Sequence, residues 1–278
     1  MGRAAPPCDA MSEPGASSIT DLCIVTAVDV EFKIAASLLS GKSFSEDPPG
    51  VRLRRIKICR GLFGGRRATI LQSGMGAVGF AEGLAKHLTN NRYDALIVSG
   101  LAGGLDPRLR VGDAVLYNLC YDARVSDFTR RERPGQGEVA ATGCDETLSD
   151  FLCRALTNSG LSFIQAPGIT VGRVVTEANE KLALGARYGA AAVDMETYET
   201  LEACARLGLP VAALRVISDE AVRDIPDFNR IYNADGRMNG WRTFAAMAAR
   251  PSAALRLLMT IRPALQSLKA TLQAAMGA

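Results

Sequence analysis

Short apolar runs alternate with stretches in which apolar residues recur every three or four positions, and this rhythm runs through most of the chain. LCIVTA (22–27) is a run of strand-forming residues, and VEFKIAASLL (30–39) follows with helical spacing, so a strand feeding a helix is predicted. VRLRRIKICRGLFGGRRATILQSG (51–74) predicts two or three strands, with GLFGG as the turn between the last pair. FAEGLAKHL (80–88) predicts a helix, and DALIVSG (94–100) a strand buried on both faces. After a polar stretch over 122–147 the rhythm resumes with strand-like GITVGRVV (168–175), helical EKLALGARYG (180–189) and strand AAVDM (191–195). Helical YETLEACARLG (198–208) and strand PVAALRVIS (210–218) complete it. Strands alternating with helices of this length imply crossover connections, hence an α/β domain with a mixed, mostly parallel sheet covered on both sides.

The two ends break the rhythm. Residues 1–20 are rich in Pro, Gly, Ala and Ser without an apolar face and are expected to form a disordered tail, leaving a domain over 21–235. Residues 236–278 carry Arg237, Arg242, Arg250, Arg256, Arg262 and Lys269 but no acid, while Leu255, Leu258, Ile261, Leu265, Leu268 and Leu272 recur at helical intervals. Such a basic amphipathic extension can lie on an anionic membrane surface or pack as a helix on the domain or on a partner subunit.

Composition narrows the function classes. A net charge of +3 and the lack of a basic stripe interleaved with aromatics argue against nucleic acid as a partner. The seven cysteines form no CxxC pair, so they read as reduced thiols of a cytoplasmic protein, with no metal site expected. His87, the only histidine, reads as a helix-surface residue rather than a catalyst. No apolar run is long enough to span a bilayer, and the first segment lacks an apolar signal core. No GxGxxG bridges the first strand and helix, which argues against a dinucleotide cofactor; no cofactor is expected.

Candidate chemistry gathers where the apolar strands end, which is where open α/β sheets bind ligands. SGMGAVG (73–79), SGLAGGLDP (99–107), VDMET (193–197) and RVISDEA (215–221) all lie there. Gly74 and Gly76 let the backbone approach a ligand, and Gly100, Gly103 and Gly104 suit turns with positive φ. Asp194, Glu196 and Asp219 stand beside Val and Ile, where carboxylates need a partner or a proton. Each acid also has a plainer reading: Asp194 as a cap for the following helix, Asp219 and Glu220 as caps of the next segment, Glu31 as a solvated helix acid. Arg124, Arg130, Arg131 and Arg133 read as a solvated loop.

The ordered set TAVDVEFKIA, QSGMGAVG, SGLAGGLDPRLRVGD, AAVDMET and ALRVISDEA, spanning roughly 21–225, resembles the purine nucleoside phosphorylase and methylthioadenosine/S-adenosylhomocysteine nucleosidase superfamily. The resemblance implies a three-layer αβα sandwich, commonly a homodimer, and cleavage of a ribose–purine bond by water or phosphate. It implies Asp219 as general acid at N7 of adenine, and Glu31 as the residue that deprotonates the attacking water. Glu196 and Met195 would hold the ribose, Ser73 and Arg215 the water, with Gly74, Gly103 and Ser218 at the substrate. Val175 and Thr176 stand where an aromatic residue stacks on adenine in the methylthioadenosine nucleosidases, so the base must be held differently. SGMGAVG supplies Ser73 but no arginine for a phosphate, which favours water. The tail, GGLDP and EFKIA resemble the hopanoid-associated branch, implying adenine release from a lipid-linked adenosine at the inner membrane face. A nucleoside-binding sensor without turnover is the non-enzymatic alternative.

Overall fold

The computed structural model describes residues 19–46, 56–72, 80–124, 139–227, 229, 248–249 and 251–277. The first apolar run forms β1 (Asp21–Thr26), buried along almost its whole length, and passes through Ala27 and Val28 into α1 (Asp29–Ser37). β2 (Ser40–Glu46) is exposed throughout, and its polar sequence SGKSFSE carries no strand signal. β3 (Lys57–Phe63) and β4 (Arg66–Gln72) form the predicted hairpin, turning at Gly64 and Gly65 with φ of 55° and 87°, a region open to glycine. There follow α2 (Phe80–Asn90), β5 (Ala95–Gly104), β6 (Ala114–Asp122), β7 (Ala141–Gly143) and α3 (Glu146–Asn158). The last part comprises β8 (Phe163–Thr170), α4 (Ala178–Tyr188), β9 (Ala192–Asp194), α5 (Thr197–Leu207), β10 (Val211–Asp219) and α6 (Pro251–Gly277).

The strands join in one mixed sheet flanked by helices. β1 is central, parallel to β4 on one side and β5 on the other, and β10 runs parallel to β5 beyond it. β10 also pairs antiparallel with β6, and β6–β8–β9 leads back to β5 through Gly103↔Val193. Strands β5, β10, β6, β8 and β9 therefore close on one another, which brings the C-terminal ends of β5, β9 and β10 together.

The core lies on both sides of this sheet. One cluster holds Val25, Leu96, Val98, Tyr117 and Leu201 against α2 and α5; the other holds Ile24, Phe32, Ile97, Leu116 and Leu214 against α1, α3 and α6. Leu268, Leu272, Ala275 and Met276 of α6 belong to that second cluster, so the C-terminal half of the basic helix follows the packed reading. Its N-terminal half differs: Leu255 and Met259 are 61% and 70% exposed. Pro263, which has no amide to give the preceding turn, stands between the halves. Leu258's side chain, Arg237, Arg242 and Arg250 lie outside the described residues, as do residues 1–18.

Two expectations change. His87 is buried, 2% exposed, with Nε2 2.8 Å from the Tyr93 hydroxyl and away from the strand ends. Gly100, Gly103 and Gly104 are not turn residues: β5 continues through all three, and none has positive φ.

Candidate active site

What those glycines do follows from their missing Cβ. A Cβ at Gly100 would stand 2.8 Å from Glu31 Oε1 and 2.9 Å from Arg215 Nη1, and one at Gly104 3.0 Å from the Asp219 carbonyl oxygen. The strand is bare there because two carboxylates and an arginine pack on it.

Glu31 occupies the third position of α1, whose first amides lack helical partners. Its carboxylate turns back to them: Oε2 accepts from Ala27 N at 2.9 Å and Val28 N at 3.1 Å, and Oε1 accepts from Leu101 N at 2.8 Å. The residue is 3% exposed, so the solvated-helix reading does not hold. Burial pushes its pKa above the ordinary value of 4.5, against the opposing pull of the Leu101 amide and Arg215.

Arg215, on β10 opposite Gly100, is fully buried. Burial disfavours its charge, but Asp194, Glu196, Tyr117 and Glu31 outweigh that and hold it protonated. Its Nη2 and Nε donate to Thr197 Oγ1 at 2.7 and 3.1 Å, with Asp194 Oδ2 at 3.4 Å and Glu196 Oε2 at 3.9 Å. Asp194 takes its capping role: Oδ1 accepts from the amides of Glu196 and Thr197 at 3.1 and 2.9 Å and from Thr170 Oγ1 at 2.8 Å, and Oδ2 accepts from Thr197 Oγ1 at 2.6 Å. It fixes the turn that presents Met195 and Glu196.

Asp219 ends β10 opposite Gly103. Its Oδ1 lies 2.6 Å from Ser218 Oγ, which is also 3.1 Å from the Ala102 carbonyl oxygen. Its Oδ2 is ion-paired with Lys181, a residue with no exposed surface. Sequence reasoning missed Lys181. The available signal was phase: Lys181 shares with Leu184 the inward face of α4, where an apolar residue is the rule.

These groups wall a cavity of about 280 Å³. Glu31, Gly103, Val175, Met195, Glu196, Ser218 and Asp219 line it, with an apolar remainder that includes Val30, Val174, Ile225 and Ile261 of α6. Arg215 lies behind Glu31 and Glu196 rather than on the wall, and Thr176 is buried with its carbonyl accepting from Ile225 N at 3.0 Å. Ser73 and Gly74 lie outside the described residues. Arg124 is not a solvated loop residue: it pairs with Asp122 and Glu199 and sits 5.5 Å over the Tyr198 ring; Arg130, Arg131 and Arg133 lie outside the described residues. Among the described residues no cluster of His, Cys, Asp and Glu could hold a metal ion.

A bare strand and three buried carboxylates, Glu31, Glu196 and Asp219, wall one cavity suited to a polar ligand, and residues 21–253 match the phosphorylase superfamily. The chain belongs to that superfamily, a family of enzymes. It is 28% identical over 244 residues to a 5′-methylthioadenosine/S-adenosylhomocysteine nucleosidase of Haemophilus influenzae (strain 86-028NP), covering 86% of this chain and 97% of the relative. The fold is similar to that of a futalosine hydrolase of Helicobacter pylori, with a TM-score of 0.70 at 17% identity over 93% of this chain and 98% of the other. It is also similar to a methylthioadenosine/S-adenosylhomocysteine nucleosidase of Colwellia psychrerythraea 34H solved with adenine, with a TM-score of 0.69 at 19% identity over 94% and 96% of the two chains.

Proposed function

We propose that this enzyme hydrolyses the N-glycosidic bond of a 5′-substituted adenosine, with a hopanoid-lipid adenosine as substrate, releasing adenine. The observation that carries the reading is the charge on the cavity wall. Glu31 and Glu196 face the ligand while Arg215 alone among the described residues stands behind both, so the wall is suited to the positive charge that develops on a ribose ring as the bond to its base breaks. Glu31, raised in pKa and fixed by three amides, takes a proton from water as that water attacks C1′. Asp219 gives a proton to N7 of the departing purine. Glu196 accepts from the ribose hydroxyls, and Met195 packs on the sugar.

Val171, Val174 and Val175 supply an apolar slot for the base in place of an aromatic ring. Val30, Ile225 and Ile261 supply apolar surface for the 5′ substituent, and the exposed Leu255 and Met259 lie on the same helix as Ile261. That combination supports a lipid tail and contact with a membrane surface; no described helix is long and apolar enough to cross a membrane. Water is favoured over phosphate because the one arginine that lines the cavity among the described residues, Arg173, is paired with Glu180. The active form is read as a homodimer, to be checked by light scattering.

The deciding assay measures adenine release from methylthioadenosine, adenosylhomocysteine, inosine and a lipid-tailed adenosine, each with and without phosphate. Phosphate-independent release, fastest from the lipid-tailed substrate, is expected. Dependence on phosphate would replace hydrolysis by phosphorolysis, preference for methylthioadenosine would remove the lipid assignment, and binding without release would make the protein a nucleoside sensor.

A further inference from the structure

We infer that Lys181 is a positioning residue of this reaction: its ammonium fixes the Asp219 carboxylate at the cavity wall and stabilises the negative charge left there when the purine departs with a proton. The inference rests on the assignment of Asp219 as proton donor.

A lysine with no exposed surface has lost its hydration and must recover it from the protein. An ammonium has three N–H donors. Here the three find Asp219 Oδ2, the Glu220 carbonyl at 3.2 Å and the Arg223 carbonyl at 3.0 Å. Both carbonyls belong to the segment between β10 and Ile225, so one side chain ties α4, the end of β10 and a stretch of cavity wall to the same point.

The two carboxylate oxygens then have separate work. Oδ2 stays with Lys181. Oδ1 faces Ser218 Oγ, whose single proton cannot serve both of the acceptors within its reach, Oδ1 and the Ala102 carbonyl. With Asp219 ionised, Ser218 donates to Oδ1. With Oδ1 protonated, the carboxyl donates to Ser218 Oγ and the hydroxyl turns to Ala102. Both states are hydrogen-bonded without moving the carboxylate, because Lys181 holds its other oxygen. In the reaction the C1′–N9 bond breaks with its electron pair going to the purine, and the Oδ1 proton passes to N7. Water loses a proton to Glu31 and bonds to C1′, and Asp219 is left as a carboxylate against the ammonium. Exchange with solvent resets both acids.

A merely structural ion pair predicts loss that ignores the leaving group, whereas this role predicts loss only where the leaving group needs a proton. The test compares kcat and KM for an adenine nucleoside and for a 4-nitrophenyl riboside with the same 5′ substituent, whose leaving group departs unprotonated. For Lys181→Met, adenine release should fall about 30-fold or more in kcat with KM within about threefold, while nitrophenol release stays within about threefold. Asp219→Asn should show the same selectivity. Equal slowing of both substrates by Lys181→Met, or adenine release within about threefold of the parent, overturns the role of Lys181 while Asp219→Asn still reports on Asp219 itself. If Asp219→Asn keeps adenine release, the proton-donor reading fails first. Should Lys181→Met not fold, Lys181→Gln, which keeps two N–H donors for the carbonyls but no charge, is read by the same criteria.

Discussion

Glu31 of α1 and Asp219 of β10 are both carboxylates on the wall of one cavity, set against positions of β5 two or three residues apart, yet they are held by different means. Glu31 is gripped by the backbone amides of Ala27, Val28 and Leu101, groups present whatever the side chains around them. Asp219 is held by the side chains of Ser218 and Lys181, either of which one substitution can remove. The difference separates a proposed base whose geometry comes with the fold from a proposed acid whose geometry is set by neighbouring side chains. Burial raises the pKa of Glu31, while a specific cation stands against Asp219.

The largest effect should come from the base. Glu31→Gln cannot take a proton from water, and kcat should fall about 1000-fold while an unreactive adenosine analogue still binds. Unchanged turnover with lost binding would make Glu31 a substrate clamp instead. The same residue sets a pH dependence. As the proposed base Glu31 would work ionised, and burial raises its pKa above 4.5, so the acid limb of kcat/KM should lie above the ordinary glutamate range. For stability the sign is opposite: the folded protein holds this proton more tightly than the unfolded chain. The contribution of Glu31 to stability is therefore fully present below about 4.5 and is lost as pH rises through the folded-state value. Denaturant midpoints of parent and Glu31→Gln across that window check it; parallel curves would count against a raised Glu31.

Next in size is Asp219→Asn, with about 100-fold lower kcat for adenine release and little change in affinity. A folded variant within a few-fold of the parent would remove Asp219 from the chemistry and end the comparison between the two carboxylates.

How much of this contrast was legible in the sequence depends on what each feature needs. The apolar runs that became β1, β5 and β10 need only burial on both faces, and their pattern reports that directly. β2, fully exposed, has no such pattern and is made by pairing with β3, a long-range fact. Glu196 and Asp219 were visible as acids at strand ends and Asp194 as a cap, whereas Glu31 stood out only through the family resemblance and otherwise read as a helix acid. Their partners were not, because Leu101 and Lys181 lie 70 and 38 residues away along the chain. The glycines of SGLAGG were noticed but misread as turns, since sequence cannot distinguish a glycine needed for φ from one needed for room.

That correction yields a smaller, sharper test. Gly100→Ala introduces a methyl group 2.8 Å from Glu31 Oε1 and 2.9 Å from Arg215 Nη1, so one of them must move. Displacement of a catalytic group by a fraction of an ångström should lower kcat about tenfold, with nitrophenol and adenine release falling together because both depend on the water-activating side. A variant that slows adenine release alone would place the disturbance on Asp219 instead.

The smallest effect concerns the two halves of α6. Deleting the helix is not a clean probe of membrane contact, since it strips Leu268, Leu272, Ala275 and Met276 from the core, at about 2–5 kcal/mol for a single buried leucine truncated to alanine. The exposed half can be altered without that cost. Leu255 and Met259 are one turn apart on the outward face, followed by exposed Arg262. If this face rests on a lipid surface, Leu255→Ser with Met259→Ser removes apolar insertion worth about 1–3 kcal/mol, and co-sedimentation with anionic vesicles should weaken about tenfold. Cleavage of a short-chain adenosine should be unchanged, because neither side chain lines the cavity, while cleavage of a vesicle-embedded substrate should slow in step with binding. Raising the salt should weaken the parent further, as it screens the attraction between Arg262 and the surface. A parent protein that never sediments with vesicles at any ionic strength would leave α6 as a core helix with an exposed end, and the lipid-tailed substrate would then have to reach Ile261 and the cavity without help from the surface.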